Sequence, residues 1–439
     1  MVLYPSVGSF ANSLGLIAMV NDKEPINLPV VILGGGIAGI TAALELAKLG
    51  HEVALVEKSP FFGGQAAQFC CKATDTCQAC GACLVDQRLR ELFHTPGITL
   101  HPHTELVRAE RQDAVFRLKF KCQPDIIDPL RCINCGICYD ECPSVDKGAV
   151  RVATTVAQHP RYYIDPEGCL LSQECLLKGC QRLCPTKAID LTKEETFLEL
   201  SARAVIVATG YQPADPRSRP HYRYGFLPQV ITGLELEKRL RLGDNLTRPD
   251  GGPARRLAFI QCVGSRDRLH PYCSRVCCAY SLRLAKLIKH RHPDAEVTTF
   301  YMDIQNIGAD PAGFRRAACQ ELNLIRTLPG GLDPTPAGSL ELRFLDDVTD
   351  RPVCREFDLV VLAVGLSPGE DNPALAEALG LTLTPEGFFQ TLDCKHRTAT
   401  SQPGVFLAGT AEGPRSIAEC ITQAAAAARE VHRYLLVMS

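Results

Sequence analysis

The sequence predicts an α/β protein with two Rossmann-like dinucleotide-binding-type domains, the first of which contains an inserted, cysteine-rich α+β domain. Three observations indicate this fold class. A strand, a glycine turn, a helix and a second strand follow one another in PVVILGGGIAGITAALELAKLGHEVALVEK (29–58), and a similar unit occupies about 255–390. Eight of the 22 cysteines lie between residues 132 and 184. Alternating strands and helices are typical of a parallel sheet with helices on its faces.

Length and composition allow two or three globular domains and argue against several classes of protein. The chain has 439 residues, 46% hydrophobic and 22% charged residues and a net charge of −2, values that are ordinary for a globular protein and do not favour a nucleic-acid surface. No apolar run approaches the roughly 20 residues of a membrane span. Leu14–Val20 lacks the basic start and the small-residue cleavage site of a signal peptide. We therefore expect a cytoplasmic protein whose residues 1–25 form an N-terminal arm.

The glycine turn of the first unit predicts a dinucleotide site. Gly34, Gly36 and Gly39 form the pattern GxGxxG between a strand and a helix, and Glu57 follows the second strand, 23 residues after Gly34. The first glycine makes the tight turn, the second lets the backbone approach a pyrophosphate, and the third lets helix and strand pack closely. The acid binds a ribose hydroxyl.

Three further segments favour FAD over NAD. FFGGQAAQ (61–68), AVIVATGYQP (204–213) and GVFLAGTAEGPRSIAECITQAAAAARE (404–430) resemble segments of two-dinucleotide-domain flavoproteins. This family usually has an aspartate where Thr410 stands, so the contact to the ribityl chain is expected to lack its charge. With the resemblance, the candidate FAD-binding residues are Gly34, Gly36, Gly39, Glu57, Lys58, Gly64, Gln65, Ala208, Thr209, Gly210, Gly409, Thr410 and Ile417.

The second Rossmann-like unit lies where pyridine-nucleotide–disulfide reductases bind NAD(P)H, but its turn has lost the glycine pattern. RRLAFIQC (255–262) predicts the strand and SLRLAKLIKH the helix, whereas the turn QCVGSRDRLHPYCSRVCC contains Gly264 alone. Direct nicotinamide binding is therefore not expected. Four cysteines gather there instead, at a strand end and a helix start where thiolates are favoured: Cys262, Cys273, Cys277 and Cys278. An iron–sulfur cluster needs four such ligands; a redox disulfide, a vicinal disulfide or zinc are the alternatives.

The cysteine-rich insertion contains two copies of one cluster-binding pattern. IIDPLRCINCGICYDECP (126–143) has the run C-x2-C-x2-C-x3-C-P of bacterial ferredoxins, and YIDPEGCLLSQECLLKGCQRLCP (163–185) repeats it with longer spacings. Such ferredoxins share ligands crosswise, which assigns Cys132, Cys135, Cys138 and Cys184 to one cluster and Cys142, Cys169, Cys175 and Cys180 to the other. The longer spacings allow a three-iron or altered second cluster. We expect the insertion to be separable from FAD binding.

A fourth group of cysteines lies in FCCKATDTCQACGACL (69–84). Cys77, Cys80 and Cys83 have the spacing C-x2-C-x2-C, and an upstream thiol, Cys71 or Cys70, would complete a four-ligand site. A loop of small residues beside the flavin and a zinc site are the alternatives. The five cysteines outside these groups are interpreted as core or surface thiols: Cys122, Cys319, Cys354, Cys394 and Cys420.

From about residue 28 onward the chain resembles the A-type subunits of heterodisulfide reductases and their bacterial relatives. The residues that carry the resemblance are GGGIAG (34–39), QCVGSRD (261–267), YCSRVCC (272–278), the ferredoxin insertion and AGTAEGP (408–414). The resemblance implies a thioredoxin-reductase-like FAD scaffold with three to four [4Fe–4S] clusters, one of them held by Cys262, Cys273, Cys277 and Cys278 in place of nicotinamide. Longer members continue into two further clusters, so the end at Ser439 suggests a trimmed electron-transfer subunit.

The function that these features predict is electron transfer through FAD and [4Fe–4S] clusters in a cytoplasmic heterodisulfide-reductase-like oxidoreductase complex. The resemblance implies B/C-type subunits or other iron–sulfur redox modules as partners, a homodimer within the complex, and flavin-based bifurcation or confurcation as a hypothesis. A redox adaptor and an NAD(P)H-dependent enzyme resembling the small subunit of glutamate synthase are the rival interpretations. No residue is a convincing acid–base catalyst or nucleophile.

The expected domains follow from the order of these segments along the chain. The expected FAD domain comprises residues 26–121, 191–250 and 391–439, and the expected ferredoxin insertion comprises 122–190. Residues 251–390 form the expected second, degenerate NAD(P)H-type domain.

Overall fold

The computed structural model describes residues 26–27, 30–153, 155, 158, 161–166, 168–169, 179–243, 246–305, 310–346 and 348–438. The expected N-terminal arm (1–25) and the predicted ligand Cys175 lie outside these described residues. In the described part of the chain, no helix is both long and apolar enough to span a membrane.

The strands in chain order are β1 (Ile26–Asn27), β2 (Val30–Leu33), β3 (Val53–Val56), β4 (Ile98–His101), β5 (Thr104–Gln112), β6 (Val115–Cys122), β7 (Val150–Val152), β8 (Tyr162–Ile164), β9 (Thr196–Ala202), β10 (Ala204–Val207), β11 (Gln212–Pro213), β12 (Val230–Thr232), β13 (Arg256–Val263), β14 (Glu296–Phe300), β15 (Asn323–Ile325), β16 (Gly331–Pro334), β17 (Leu340–Leu345), β18 (Pro352–Phe357), β19 (Leu359–Val364), β20 (Leu366–Ser367) and β21 (Val405–Leu407). The helices are α1 (Ile37–Lys48), α2 (Ala82–His94), α3 (Ile137–Asp140), α4 (Gly179–Leu183), α5 (Gly233–Arg241), α6 (Cys277–Arg291), α7 (Pro311–Glu321), α8 (Asn372–Leu379) and α9 (Ile417–Met438). Short 3-10 helices occupy Gln65–Gln68, Val145–Lys147, Pro216–Ser218, Pro220–Tyr222 and Gly409–Ala411.

The first domain is built on a five-stranded parallel sheet in the order β21-β10-β2-β3-β4. Helices α1, α2 and α9 bury their apolar residues against one face. A four-stranded sheet, β1-β9-β6-β5, covers the other face. Because both faces are covered, strand β2 is a continuous apolar run, Val-Val-Ile-Leu, buried at every position.

The second domain repeats this architecture. Its parallel sheet has the order β12-β19-β13-β14-β15. Helices α5, α6 and α7 pack on one face, and the antiparallel sheet β16-β17-β18 packs on the other. Strands β11 and β20 pair between the two domains. The predicted fold class, two Rossmann-like units, is therefore confirmed.

The insertion leaves and re-enters the first domain between neighbouring strands. Strands β6 and β9 are antiparallel partners, and Cys122, where β6 ends, lies opposite Thr196, where β9 begins. The chain between them forms helices α3 and α4 and the hairpin β7–β8. Its small core contains Ile126, Val150, Ile164 and Ile189, so the inserted segment has a hydrophobic core of its own.

The structure differs from the expected domain boundaries at two points. Strand β12 pairs with β19, so the second domain begins before Val230 and not after residue 250. Ala376, Leu379 and Phe389 belong to the core of the first domain, which therefore resumes with α8 and not at 391. Both corrections have the same cause: an edge strand and a packing helix join the sheet that buries their apolar faces, and local sequence does not identify that sheet.

Candidate cofactor sites

A cavity of about 890 Å³ lies where the two domains and the insertion meet. Its size suits a small-molecule or cofactor site. Most of the predicted FAD-binding residues line it: Gly34, Gly36, Glu57, Gly64, Gln65, Ala208, Thr209, Gly210, Thr410 and Ile417. The other predicted residues are close in sequence to residues that line the cavity but are not part of the lining themselves: Gly39, Lys58 and Gly409.

The glycine turn forms a cradle from which side chains are excluded. Gly34 has φ +107°, and a Cβ there would lie 2.4 Å from the carbonyl oxygen of Ala208. A Cβ on Gly39 would lie 1.8 Å from the carbonyl oxygen of Gly34. Gly36, the residue before α1, caps the helix with no side chain. The first backbone N–H groups of α1 therefore lie at the cavity wall next to a residue without a side chain. A pyrophosphate site requires such an arrangement.

Glu57 is held at the rim of the cavity by backbone hydrogen bonds. Its carboxylate accepts from the N–H of Gly35 at 2.6 Å and from the N–H of Ser59 at 2.7 Å. Burial raises the pKa of Glu57, and these bonds counter that effect. Lys58, the next residue, instead forms ion pairs with Glu105 at 3.0 Å and Asp371 at 2.7 Å.

Substituting Glu57 by alanine should weaken FAD binding. A ribose hydroxyl would lose its acceptor, at a cost of about 1–3 kcal/mol, or roughly one to two orders of magnitude in dissociation constant. Flavin retained after serial dilution measures the effect. Glu52→Ala, the same change at an exposed position of the preceding turn, is the control. Equal retention in both variants would argue against the assigned ribose site.

The far wall offers polar groups that suit the rest of a flavin nucleotide. The hydroxyl oxygen of Thr209 is buried and has no hydrogen-bond partner among the described residues. A ligand in the cavity would supply one.

A Cβ on Gly409, where φ is +69°, would lie 2.6 Å from the Cβ of Ala38, so the last FAD segment lies close to α1. Thr410 is 7% exposed and lines the cavity as a hydroxyl without the charge of the family's aspartate.

Two charged residues that the sequence did not single out form a buried ion pair in the cavity wall. Lys72 and Glu237 lie 2.6 Å apart, and each side chain is 3% exposed. The N–H of Cys70 also donates to Glu237, at 2.8 Å. Burial raises the pKa of Cys70 to about 12. Removing both charges from water is costly. The sequence carries no signal for this ion pair because its two residues lie on different domains.

The four cysteines of the second domain come together at the end of β13 and the start of α6. Cys262, Cys277 and Cys278 are buried and Cys273 lies in the loop between them. Burial raises the pKa of Cys278 to about 11 and that of Cys277 well above its usual value, and the neighbouring thiolates raise both further. Thiols in mutual electrostatic contact are what a shared cluster needs.

The surroundings of these four cysteines include groups that partly offset the effect of burial. Arg266 hydrogen-bonds to Cys262 and lowers the pKa of that thiol, against the raising effect of burial. Arg266 is itself paired with Asp303. Cys277 and Cys278 open the 15-residue helix α6, where the helix dipole favours thiolates. Cys262 has φ +59°, a strained conformation at the strand end of the kind often found at functional sites.

The insertion brings together the four cysteines that were predicted to share its first cluster. Cys132, Cys135, Cys138 and Cys184 line one small pocket. Burial raises the pKa of Cys138 to about 12. At Cys184 burial acts in the same direction, but hydrogen bonds, including one from the N–H of Ala188 at 3.3 Å, outweigh it and lower the pKa. Of the second set, Cys142, Cys169 and Cys180 pack against the same core.

The fourth group of cysteines, in residues 69–84, lies at the edge of the cavity. Cys80 lines the cavity, and Cys77 and Cys80 both act electrostatically on Arg283. Cys71 and Cys83 are exposed, whereas Cys70 is buried in the core of the second domain. A cluster on Cys71, Cys77, Cys80 and Cys83 stays a prediction. Among all described residues, no three Cys, His, Asp or Glu side chains converge on a position for a single metal ion.

Two family models match this chain, one in the first domain and one in the insertion. Residues 29–95 match the model described as FAD dependent oxidoreductase, and residues 125–145 match the 4Fe-4S binding domain. The first match contains the glycine turn and Glu57, and the second contains Cys132, Cys135, Cys138 and Cys142. FAD and [4Fe–4S] clusters are therefore the cofactors of this chain, as the sequence predicted.

Curated relatives match over most of the chain. The chain is 35% identical over 422 residues to the second A-type iron–sulfur subunit of the CoB--CoM heterodisulfide reductase of Methanopyrus kandleri, covering 92% of this chain and 64% of that protein. It is 34% identical over 427 residues to the A-type subunit of the H(2):CoB-CoM heterodisulfide,ferredoxin reductase of Methanothermobacter marburgensis, covering 93% and 64%. The chain thus spans somewhat less than two thirds of the length of these relatives.

Solved structures agree on the scaffold. The thioredoxin reductase of T. acidophilum superposes with a TM-score of 0.52 at 15% identity, covering 94% of this chain and 99% of that chain. The thioredoxin reductase of Lactococcus lactis also gives a TM-score of 0.52, at 14% identity, covering 93% and 99%. At such low identity the likeness concerns the fold alone, and it confirms the predicted thioredoxin-reductase-like arrangement of two dinucleotide-type domains.

Proposed function

Because the chain belongs to the family of A-type heterodisulfide reductase subunits over the region that it shares with these relatives, we propose that it is the FAD- and [4Fe–4S]-containing electron-transfer subunit of a heterodisulfide-reductase-like oxidoreductase complex. The observation that carries this proposal is the position of the four cysteines of the second domain, three of which are buried. They stand at the turn where a nicotinamide-binding protein would have its glycine pattern, next to the wall of the predicted FAD cavity.

The four cysteines of the second domain lie directly beside residues of the cavity wall. Val276 and Ala279, on either side of Cys277 and Cys278, line the cavity. The thiol of Cys277 donates to the carbonyl oxygen of Val364 at 3.7 Å, and the hydroxyl of Tyr280 donates to the same oxygen at 3.1 Å. Val364 and Tyr280 also line the cavity. A cluster held by these cysteines would therefore have only one layer of protein between it and the cavity.

The turn itself lacks the glycine pattern of a nicotinamide site and is closely packed. A Cβ on Gly264 would lie 2.5 Å from the Cβ of Ala214, so the backbone there is pressed against the linker between the domains. The hydroxyls of Ser265 and Ser274 lie 3.1 Å apart, and that of Ser274 accepts from the N–H of Leu366 at 2.9 Å. The loop is thus packed onto the domain that carries it.

Bound FAD supplies chemistry that can exchange electrons in pairs or one at a time. The chain's residues bind it, hold the thiol groups near it and exclude water from both. The buried Lys72–Glu237 pair keeps one positive and one negative charge in the wall without net charge. The partly buried phenols of Tyr211 and Tyr280 line the same wall; desolvation raises their pKa values, so they stay neutral.

The proposal also includes the binding partners and the cellular compartment of this chain. The relatives are named as subunits of heterodisulfide reductases, and we infer B/C-type subunits or other iron–sulfur redox modules as partners, a homodimer within the complex, and a cytoplasmic setting. Electron bifurcation at the flavin is a hypothesis for the same site.

Anaerobic reduction of the purified chain tests the proposed function. Dithionite should bleach the flavin absorbance and produce the low-temperature paramagnetic signals of reduced clusters, whereas NADH alone should do neither. An iron–sulfur partner captured from the native complex should accept or supply electrons. Rapid flavin bleaching by NADH without partners would identify an NAD(P)H-dependent enzyme instead, and anaerobically purified protein without FAD would favour a redox adaptor.

A further inference from the structure

The inserted domain forms part of the wall of the FAD cavity. Arg151, Val152 and Ala153, at the end of strand β7, line the cavity together with Thr155. They face the same space as the glycine turn of the first domain, although the two segments lie far apart in the chain. The expectation that the insertion is separable from FAD binding does not fit this arrangement.

Two hydrogen bonds, one of them buried and the other partly buried, attach this wall to the first domain. The hydroxyl of Thr155 donates to the carboxylate of Asp86, on α2, at 2.8 Å. The N–H of Phe62 donates to the side-chain carbonyl of Gln158 at 3.3 Å. Thr155, Gln158 and Phe62 are 2%, 6% and 2% exposed. Phe62 belongs to the segment that crosses the glycine turn, so the insertion is bonded directly to the dinucleotide-binding backbone.

The second strand of the hairpin is also docked on the first domain. The ring of Tyr163, on β8, stacks on the ring of His103 with centroids 3.9 Å apart and an angle of 27° between the planes. His103 lies in the turn between β4 and β5, and both residues are less than 9% exposed. Burial lowers the pKa of His103 to about 4, so the ring is neutral at physiological pH and the stack involves no charge.

The other end of the hairpin belongs to the cluster-binding core. Val150 and Ile164 pair across the hairpin and pack in one hydrophobic cluster with Cys138. Residues Cys132 and Cys184 pack against the same cluster. The hairpin therefore spans the short distance from the first thiol pocket of the insertion to the FAD cavity, with buried contacts at both ends.

We propose that the β7–β8 hairpin couples the two cofactor sites, so that a filled cluster in the insertion holds the wall in place and slows the release of FAD. A cluster linking Cys132, Cys138 and Cys184 stabilises the core from which the hairpin extends. Without it the wall is held only by its contacts to the first domain. This inference rests on the proposed FAD and cluster sites and adds an interdependence between them.

Flavin release measured by fluorescence under anaerobic conditions tests the coupling, because free FAD fluoresces more strongly than buried FAD. Thr155→Val removes the bond to Asp86 and should speed release by about two- to tenfold. Cys138→Ser removes a ligand of the first pocket and should speed release by at least as much. Thr192→Val, the same change at an exposed threonine just after the insertion, and Cys354→Ser, at an exposed cysteine, should release FAD at the unaltered rate.

The outcomes separate this inference from the proposed function. If a correctly folded Cys138→Ser with lowered iron content releases FAD at the unaltered rate, the cluster does not act on the FAD site and the inference is overturned. If Thr155→Val releases FAD at the unaltered rate, the hairpin does not hold the cofactor and the inference is overturned as well. Should Cys138→Ser fail to fold, Thr155→Val alone still decides whether the insertion holds FAD. If the unaltered protein contains no FAD, the proposed function has failed and the coupling fails with it.

Discussion

Substituting Gly34 by alanine should leave the purified chain almost without FAD. Gly34 has φ +107°, a conformation that alanine adopts only at a cost, and the added Cβ would lie 2.4 Å from the carbonyl oxygen of Ala208 and 2.9 Å from the amide of Thr209. The neighbour is backbone and cannot turn away. Relief of the clash requires moving Ala208 or the glycine turn, and both line the cavity.

The ratio of flavin absorbance to protein absorbance measures this effect. Gly50→Ala is the matched control, since Gly50 has φ +84° but nothing lies within 4 Å of its added Cβ. The control carries the same kind of backbone strain, about 1–2 kcal/mol, without the collision. We expect it to keep its FAD. If the two variants bind FAD equally well, the turn at Gly34 is not the dinucleotide cradle.

The second large effect is expected at Cys277. Serine in its place should remove about one cluster's worth of iron, because a hydroxyl is a poor ligand at neutral pH where a thiolate is required. FAD should remain, since the residues of the FAD cradle around Gly34, Thr209 and Gly409 are contributed by other segments. Iron analysis and low-temperature paramagnetic spectra measure the change, and electron transfer to a partner should fall with it.

The control for this change lies in the same domain. Cys319, on α7, is exposed, and Cys319→Ser should leave iron and spectra unaltered. Full iron content and unchanged spectra in Cys277→Ser would show that Cys262, Cys273, Cys277 and Cys278 are not cluster ligands. A redox disulfide would then explain the grouping, and labelling of thiols before and after reduction would detect it.

The proposed replacement of a nicotinamide site by a cluster site has a simple structural basis in this chain. The strand, the turn and the helix of the Rossmann unit are all present as β13, residues 264–276 and α6. The same end of the helix that would face a pyrophosphate carries Cys277 and Cys278. Since thiolates and phosphates are both anionic, the helix dipole favours either, and the fold can keep its geometry while the ligand changes.

The insertion also changes how the scaffold closes around its cofactor. Asp86 accepts from Thr155 of the insertion at 2.8 Å and from Arg241 of the second domain at 3.0 Å. One carboxylate on α2 of the first domain therefore joins all three parts of the molecule. A chain with such shared contacts responds to changes in one part at sites in the others, which is the physical basis of the proposed coupling.

Local patterns in the sequence are sufficient to predict several elements of the structure. The all-apolar run Val30–Leu33 and the spacing of Gly34, Gly36 and Gly39 predict a buried parallel strand and a dinucleotide turn without reference to the rest of the chain, and the run from Cys132 to Cys142 predicts cluster ligands in the same way. Each pattern reflects constraints on neighbouring residues, such as a φ angle that favours glycine or the reach of three thiols around one cluster. For this reason the fold class could be predicted, and ten of the thirteen predicted FAD-binding residues line the cavity.

The contacts between distant segments could be identified only in the folded structure. The pairing of β12 with β19, the ion pair of Lys72 with Glu237 and the contact of Thr155 with Asp86 join residues that lie from about 70 to about 165 positions apart. No periodicity or spacing marks such pairs, because their stability comes from burial and hydrogen bonding that exist only after the chain has folded. The domain boundaries and the role of the insertion as a cavity wall depended on these contacts.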